Sequence, residues 1–325
     1  MTKITFLGTG EAFAPLKDSE KYGVGKTTTS YLIEELHPGH SIMVDAGYSA
    51  SGSLASLLAN QGRSFADVPD KFLLTHGHGD HYGGFPALLM QLWEETNGIV
   101  GTDKRGKERT LEIVSANPRI LPNELDSMVA EKHPEFKTKL ERMTWMAMET
   151  DYELFFKRFQ DQGPTLSYRD LNAQGDKIGK EPFAFDIYAA PTKHGALNMA
   201  YRFKQGNIDF CISGDGSLTE ESMKLFEGTT LLIHEAFDIN KDSKGTNHAS
   251  VNDLVDYAAS SDILYVAGVH VNRQERMKHS EIKSEIERAN GLGVELFFPE
   301  DYESVDLYHD APMGILRFDS KDKQI

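Results

Sequence analysis

The segment Thr75-His76-Gly77-His78-Gly79-Asp80-His81 gathers three imidazoles and one carboxylate within six consecutive positions. It directly follows Lys71-Phe72-Leu73-Leu74, a short apolar run that reads as a strand, so the polar groups fall on a turn past a strand end. Two imidazoles separated by one residue can reach toward one ion, while Asp80 and His81 turn toward a second beside it. Neutral imidazole and carboxylate suit a borderline cation such as Zn²⁺. The chain has a single cysteine, Cys211, which can form neither an intrachain disulfide nor a thiolate cluster. Any metal must therefore be held by His, Asp and Glu. A solitary histidine is more often a satisfied surface or core residue than a ligand. Four donors on one strand-to-helix turn, with Gly77 and Gly79 letting backbones approach, argue against that reading.

The segment has the His-x-His-x-Asp-His signature of the metallo-β-lactamase superfamily, which the chain resembles over nearly its whole length. The resemblance implies an αβ/βα four-layer sandwich, an α/β fold of two mixed sheets flanked by helices. It also implies further ligands on later strand ends: His194 in Pro191-Thr192-Lys193-His194, Asp215 in Ser213-Gly214-Asp215-Gly216, and His270 in Ala267-Gly268-Val269-His270. By this likeness one zinc is held by His76, His78 and His194, a second by Asp80, His81 and His270, and Asp215 is shared. Manganese or iron would also suit such a nitrogen and oxygen donor set. Asp45 matches a carboxylate that hydrogen-bonds behind a ligand histidine; the local sequence reads equally as a turn cap before Gly47.

Within the superfamily, Leu231-Leu232-Ile233-His234-Glu235-Ala236-Phe237 and His248-Ala249-Ser250 are similar to the paired motifs of RNase Z and related phosphodiesterases. Met199-Ala200-Tyr201-Arg202-Phe203 after His194 is similar to the same branch. The resemblance implies a dinuclear-metal phosphodiesterase with a metal-bridging hydroxide as nucleophile and His248, oriented by Glu235, as general acid. Asp80 would also steer the nucleophile's proton. A sugar or alkyl alkoxide leaves poorly, so an acid with a raised pKa suits the task. The competing local reading is a capped helix start, since Ser250 makes a good N-cap for Val251–Ser260.

Departures from the tRNA-processing members shape the substrate expectation. Gly8-Thr9-Gly10 continues as Glu11-Ala12-Phe13-Ala14-Pro15-Leu16-Lys17, without the Pro-x-Lys-x-x-Asn-like loop, and no Gly-rich basic arm lies between His81 and His194. The short basic run Lys104-Arg105-Gly106-Lys107-Glu108-Arg109 reads best as a solvated hairpin tip. With 34 basic against 50 acidic residues the net charge is −16, which disfavours long polyanions because nucleic-acid affinity depends on Lys and Arg. The expected substrate is therefore a small or medium phosphodiester or other small-molecule ester. A tRNA 3′-processing endonuclease, and an arylsulfatase-like, lactone or thioester hydrolase, are the alternatives.

These groups need a scaffold. Thr2–Leu7, Thr29–Glu34, Ser41–Asp45, Phe183–Ala189, Met199–Phe203, Ile208–Ser213, Thr230–His234 and Ile263–Ala267 read as strands. Ser51–Asn60, Phe85–Trp93, Thr219–Phe226, Val251–Ser260 and Glu281–Ala289 read as helices. The expectation is one domain over residues 1–325, interrupted by a helical insert at about 123–161 rich in Met, Phe and charge. The insert reads first as packing onto the main domain, and second as a lid or a homodimerisation arm. No apolar run is long enough to span a membrane, and the start lacks a secretory signal pattern, so a cytoplasmic location is expected. Gly25-Lys26-Thr27-Thr28 resembles the end of a P-loop, but Glu20 stands where the first glycine is required. Gly8 and Gly10 lack the third Rossmann glycine. His37, His40, His133, His279 and His309 have no ligand-like company in sequence and read as surface residues.

Overall fold

The computed structural model describes residues 1–11, 27–65, 68–85, 87, 88, 91, 110–115, 131, 134, 165–170, 176–178, 185–240, 246–272 and 274–308. The insert expected at 123–161, apart from residues 131 and 134, and the basic run at 104–109 lie outside them, as do His133, His309 and much of the expected helix over 85–93.

Among the described residues, fourteen strands form two sheets of seven. The first holds β1 (Thr2–Gly8), β2 (Ser30–Glu34), β3 (Ser41–Val44), β4 (Lys71–Leu73), β5 (Thr110–Ser115), β6 (Thr165–Asp170) and β14 (Ser304–Leu307), in the order β14-β1-β2-β3-β4-β5-β6. The second holds β7 (Asp176–Ile178), β8 (Phe185–Thr192), β9 (Asn198–Gln205), β10 (Ile208–Ile212), β11 (Leu231–Glu235), β12 (Tyr265–Val269) and β13 (Glu295–Phe297), in the order β13-β12-β11-β10-β9-β8-β7. Both sheets are mixed in the same way. Antiparallel pairs at β14-β1-β2-β3 and β7-β8-β9-β10 give way to parallel pairs at β3-β4-β5-β6 and β10-β11-β12-β13.

Period-two alternation explains how the layers form. Ile4, Phe6, Tyr31, Ile33 and Val44 of the first sheet share one core with Tyr201, Phe203, Phe210, Ile212, Ile233 and Val269 of the second. The intervening residues Ala200, Cys211, Leu232 and Val266 face outward and pack with residues of α3 (Glu220–Phe226), α4 (Val251–Ser260) and α5 (His279–Gly291). On the far side α1 (Ala50–Asn60) contacts β1 and buries Leu54, Leu57 and Leu58. The arrangement is the αβ/βα sandwich that the sequence led us to expect.

Helix starts follow ordinary capping. Thr219 and Ser222 exchange side-chain and backbone bonds in a capping box on α3, and Ser250 Oγ accepts from Asp253 N at 3.3 Å on α4. Differences from the expected elements are local. β8 runs on through Pro191 to Thr192, and Gly79–Tyr82 closes as a short helix, α2, inside the His-rich segment. Among the described residues no helix is long and apolar enough to cross a membrane.

Candidate metal centre and acid pair

The site lies where carboxyl ends of strands from both sheets meet, the usual place for chemistry in an α/β sheet. β3 delivers Asp45, β4 leads into Thr75–His81, β8 into His194, β10 into Asp215 and β12 into His270. β11 delivers Glu235 by alternation. Leu231 and Ile233 face the shared core, so Glu235 continues on that inner face to the strand end, while His234 turns outward against the Phe226 ring.

Two clusters share Asp215. His76, His78, His194 and Asp215 offer ligand atoms that all lie within 4.8 Å of one another, and so do Asp80, His81, Asp215 and His270. In the first, His194 Nε2 lies 3.1 Å from His78 Nδ1 and 3.8 Å from Asp215 Oδ2, and His76 Nε2 lies 3.8 Å from the same oxygen. In the second, His81 Nε2 is 3.1 Å from Asp215 Oδ1, and His270 Nε2 is 3.1 Å from Asp80 Oδ2 and 3.6 Å from Asp215 Oδ2.

Asp45 stands behind the second cluster and is fully buried. Its carboxylate meets His81 Nδ1 at 2.7 Å and accepts from Thr75 N at 2.8 Å and Thr75 Oγ1 at 2.7 Å. That fixes the His81 ring with Nε2 turned toward Asp215. The turn-cap reading of Asp45 from local sequence is replaced by this role across the sheet. Asp45 and His270 both take positive φ, 57° and 54°. Non-glycine residues hold this region only where their surroundings fix them.

The buried charges show what the centre is suited to hold. Asp45, Asp80, Asp215 and Glu235 are all buried. Burial pushes the Asp80 carboxyl up, but the His270 hydrogen bond and the charges of His81 and His270 carry it down to about 2. Asp215 is held well below the usual carboxylate range by His270, His81 and His76, against its own burial. His76, His78 and His194 are pushed down, first by burial and then by neighbouring imidazoles, toward the neutral form that ligates metal. His76 Nε2, His81 Nε2 and Asp215 Oδ1 are buried without a hydrogen-bond partner, and the 3.1 Å approach of the last two lacks hydrogen-bond alignment. Buried polar atoms left this way are costly unless a cation joins them. The donor set fits divalent ions.

Beside the clusters, Glu235 Oε2 meets His248 Nδ1 at 2.8 Å, while Oε1 accepts from Gly216 N at 2.6 Å and Ala249 N at 3.1 Å. With both oxygens engaged, Glu235 orients its neighbours. The His248 ring stacks on Phe237, with centroids 4.3 Å apart, and meets the His194 ring edge-on at 5.1 Å. Burial lowers the His248 pKa, but the hydrogen bond and charge of Glu235 outweigh it and raise the pKa above the ordinary value. His248 and the Ser250 helix cap coexist, so the two sequence readings are not exclusive.

All nine residues singled out as ligands or acid pair come together at this one end of the sandwich. Sequence reading missed Asn198, whose Nδ2 donates to Ser213 O at 2.8 Å and Asp215 O at 2.6 Å, holding the turn that presents Asp215. A polar residue directly before the strand run Met199–Phe203 was the available signal. Phe237, directly after Glu235-Ala236, was also missed. Gly79 makes room for Tyr48, whose hydroxyl a Cβ there would strike. His40, expected to be solitary, pairs through Nδ1 with Asp70 and lies against the His37 ring at 4.5 Å, because the β2–β3 turn folds back toward the start of β4.

Comparison with known proteins agrees with this arrangement. Residues 23–270 match the metallo-beta-lactamase superfamily. A curated ribonuclease Z of Thermococcus kodakarensis is 22% identical over 326 residues, covering 94% of this chain and 95% of the relative. Among solved structures, the metallo-beta-lactamase fold protein YhfI of Bacillus subtilis superposes with a TM-score of 0.63 at 18% identity, covering 93% of this chain and 98% of that one. The short form of human tRNase Z gives 0.59 at 16% identity, covering 94% and 98%. The chain belongs to the metallo-beta-lactamase superfamily and is a metal-dependent hydrolase.

Proposed function

We propose that this chain is a phosphodiesterase that uses two divalent ions, zinc in the first instance. His76, His78 and His194 would hold one ion, and Asp80, His81 and His270 the other, with Asp215 common to both clusters. The observation that carries the reading is the 2.8 Å Glu235–His248 pair set beside the double cluster. A thiolate leaving from a thioester has little need of such an acid, whereas an alkoxide leaving from phosphorus does. The chemistry that divalent ions supply when bound is polarisation of the phosphoryl group and acidification of water.

The chain's own residues do the rest. Asp45 holds His81 in one tautomer, and Asp80, in the second cluster with its Oδ2 3.1 Å from His270 Nε2, would help steer the proton of the attacking water. Glu235, paired with His248 Nδ1, favours the doubly protonated ring, and the Nε2 proton passes to the leaving oxygen while the Nδ1 proton stays toward Glu235. Phe237 fixes the ring plane from one side. The shared inner core supports treating the chain as one domain.

The net charge of −16 favours a small or medium phosphodiester. The ribonuclease Z relatives favour a second reading, cleavage of an RNA. Turnover of bis(p-nitrophenyl) phosphate, a lactone and thioester panel, and a tRNA with a 3′ extension separates these. Phosphodiester turnover well above lactone and thioester turnover supports the proposal. Lactone or thioester turnover that survives His248→Ala while phosphodiester turnover is absent overturns it. Site-specific cleavage of the RNA, weakening steeply with salt, selects the second reading.

A further inference from the structure

We infer that Asp301 is a positioning residue for the second half of the metal centre, acting on His270 through the main chain of Thr9. The inference rests on the two-ion reading above. Asp301 lies between β13 and β14, in the turn that returns the chain to the first sheet. Its Oδ1 accepts from Thr9 N at 3.0 Å and Thr9 Oγ1 at 3.2 Å. Its Oδ2 accepts from Thr27 N at 3.0 Å and Thr27 Oγ1 at 3.1 Å. One carboxylate thus ties together two threonines that follow β1 and precede β2, and Gly10 N donates to Thr27 O at 2.8 Å to close the same junction.

The junction bears on the site through one bond. The Thr9 carbonyl accepts from His270 N at 2.8 Å. His270 takes a φ of 54°, which an ordinary side chain adopts only when the surrounding structure fixes it. On the other flank the buried Arg276 donates Nε to Val271 O at 2.6 Å, and its charge interacts with Asp301 and Glu11. The His270 amide is therefore held by the Thr9 carbonyl, which Asp301 anchors, and the next residue's carbonyl by Arg276, whose charge is felt first by Glu11 and then by Asp301. From that backbone the imidazole reaches Asp80 Oδ2 at 3.1 Å and Asp215 Oδ2 at 3.6 Å.

The connection is one-sided. His76, His78 and His194 come from the ends of β4 and β8, which Asp301 does not bond among the contacts described. An acid that merely supported the fold would affect both clusters alike. One that positions His270 affects only the cluster His270 belongs to.

The test is metal binding by the full-length chain, stripped with chelator and titrated with Co²⁺ or Zn²⁺, for wild type, Asp301→Ala and Asp301→Asn. Thermal unfolding of each is recorded alongside. The expected result is two ions for wild type. Asp301→Ala should keep one ion at near wild-type affinity and bind the other about 10–100-fold more weakly. Asp301→Asn, whose amide oxygen still accepts from one threonine, should fall between, and it serves alone if the alanine variant does not fold. Wild-type affinity at both sites in the variants overturns the inference, as does equal weakening at both. A wild-type chain that takes up no ion removes the metal reading itself and the role of Asp301 with it, an outcome distinct from both.

Discussion

Glu235 and His248 meet at 2.8 Å with unequal burial: the carboxylate is fully enclosed, the imidazole side chain 29% exposed. The charge is anchored inside and its proton partner faces outward, the disposition of an oriented general acid. His248→Ala is expected to lower phosphodiester turnover by about 10²–10⁴-fold while leaving metal content unchanged. The loss should be smaller for p-nitrophenolate, a good leaving group, than for an alkyl alkoxide. Equal losses for both leaving groups would count against acid catalysis.

The pH dependence follows from the sign of the His248 shift. Glu235 raises its pKa above the ordinary imidazole value, and in the proposed acid role the protonated form is the one that acts. Turnover should therefore hold on the acid side and fall as pH rises through that raised pKa. In Glu235→Gln the falling limb should move to lower pH. A pH–rate profile of the two proteins decides it, and an unmoved limb contradicts the assignment.

Arg202, singled out by its similarity to a ribonuclease Z segment, acts structurally. Its Nε and Nη2 each donate to Asp209 at 2.7 Å, and its Nη1 donates to Leu225 O at 2.7 Å and Glu227 O at 3.0 Å, closing the end of α3. Arg202→Ala should cost about 1–3 kcal/mol in urea unfolding, and Arg202→Lys should recover little because it lacks the fork. Turnover per folded molecule should be unchanged.

Cys211 faces the helix layer on β10, fully buried. Burial pushes its thiol up to about 12, against the Thr229 contact. Thiol reagents at neutral pH should leave the native protein unmodified and titrate one thiol after denaturation. Rapid native labelling would contradict the packing described.

Much of this was legible in sequence, for reasons that differ by residue. Thr75–His81 announces itself because its donors are contiguous. Glu235 was traceable because Leu231–Phe237 is similar to a motif of RNase Z and related phosphodiesterases; the apolar run before it carries no alternation that would single it out. The three-residue strands Asp176–Ile178 and Glu295–Phe297 were not legible, since three residues hold too little periodicity to distinguish strand from turn. Asp301 was invisible for another reason. In Pro299-Glu300-Asp301 it reads as a turn acid, and its partners Thr9 and Thr27 come from the opposite end of the chain. Asp45 was ambiguous for the same cause, because the histidine it orients belongs to a neighbouring strand's loop.

The most direct test of the central claim is a titration of chelator-stripped protein with Zn²⁺, followed by turnover of bis(p-nitrophenyl) phosphate. The expected result is no turnover in the stripped protein, rising with added metal and reaching its plateau at two ions per chain. Full turnover without metal, or a plateau at one ion, would contradict a phosphodiesterase built on both clusters around Asp215.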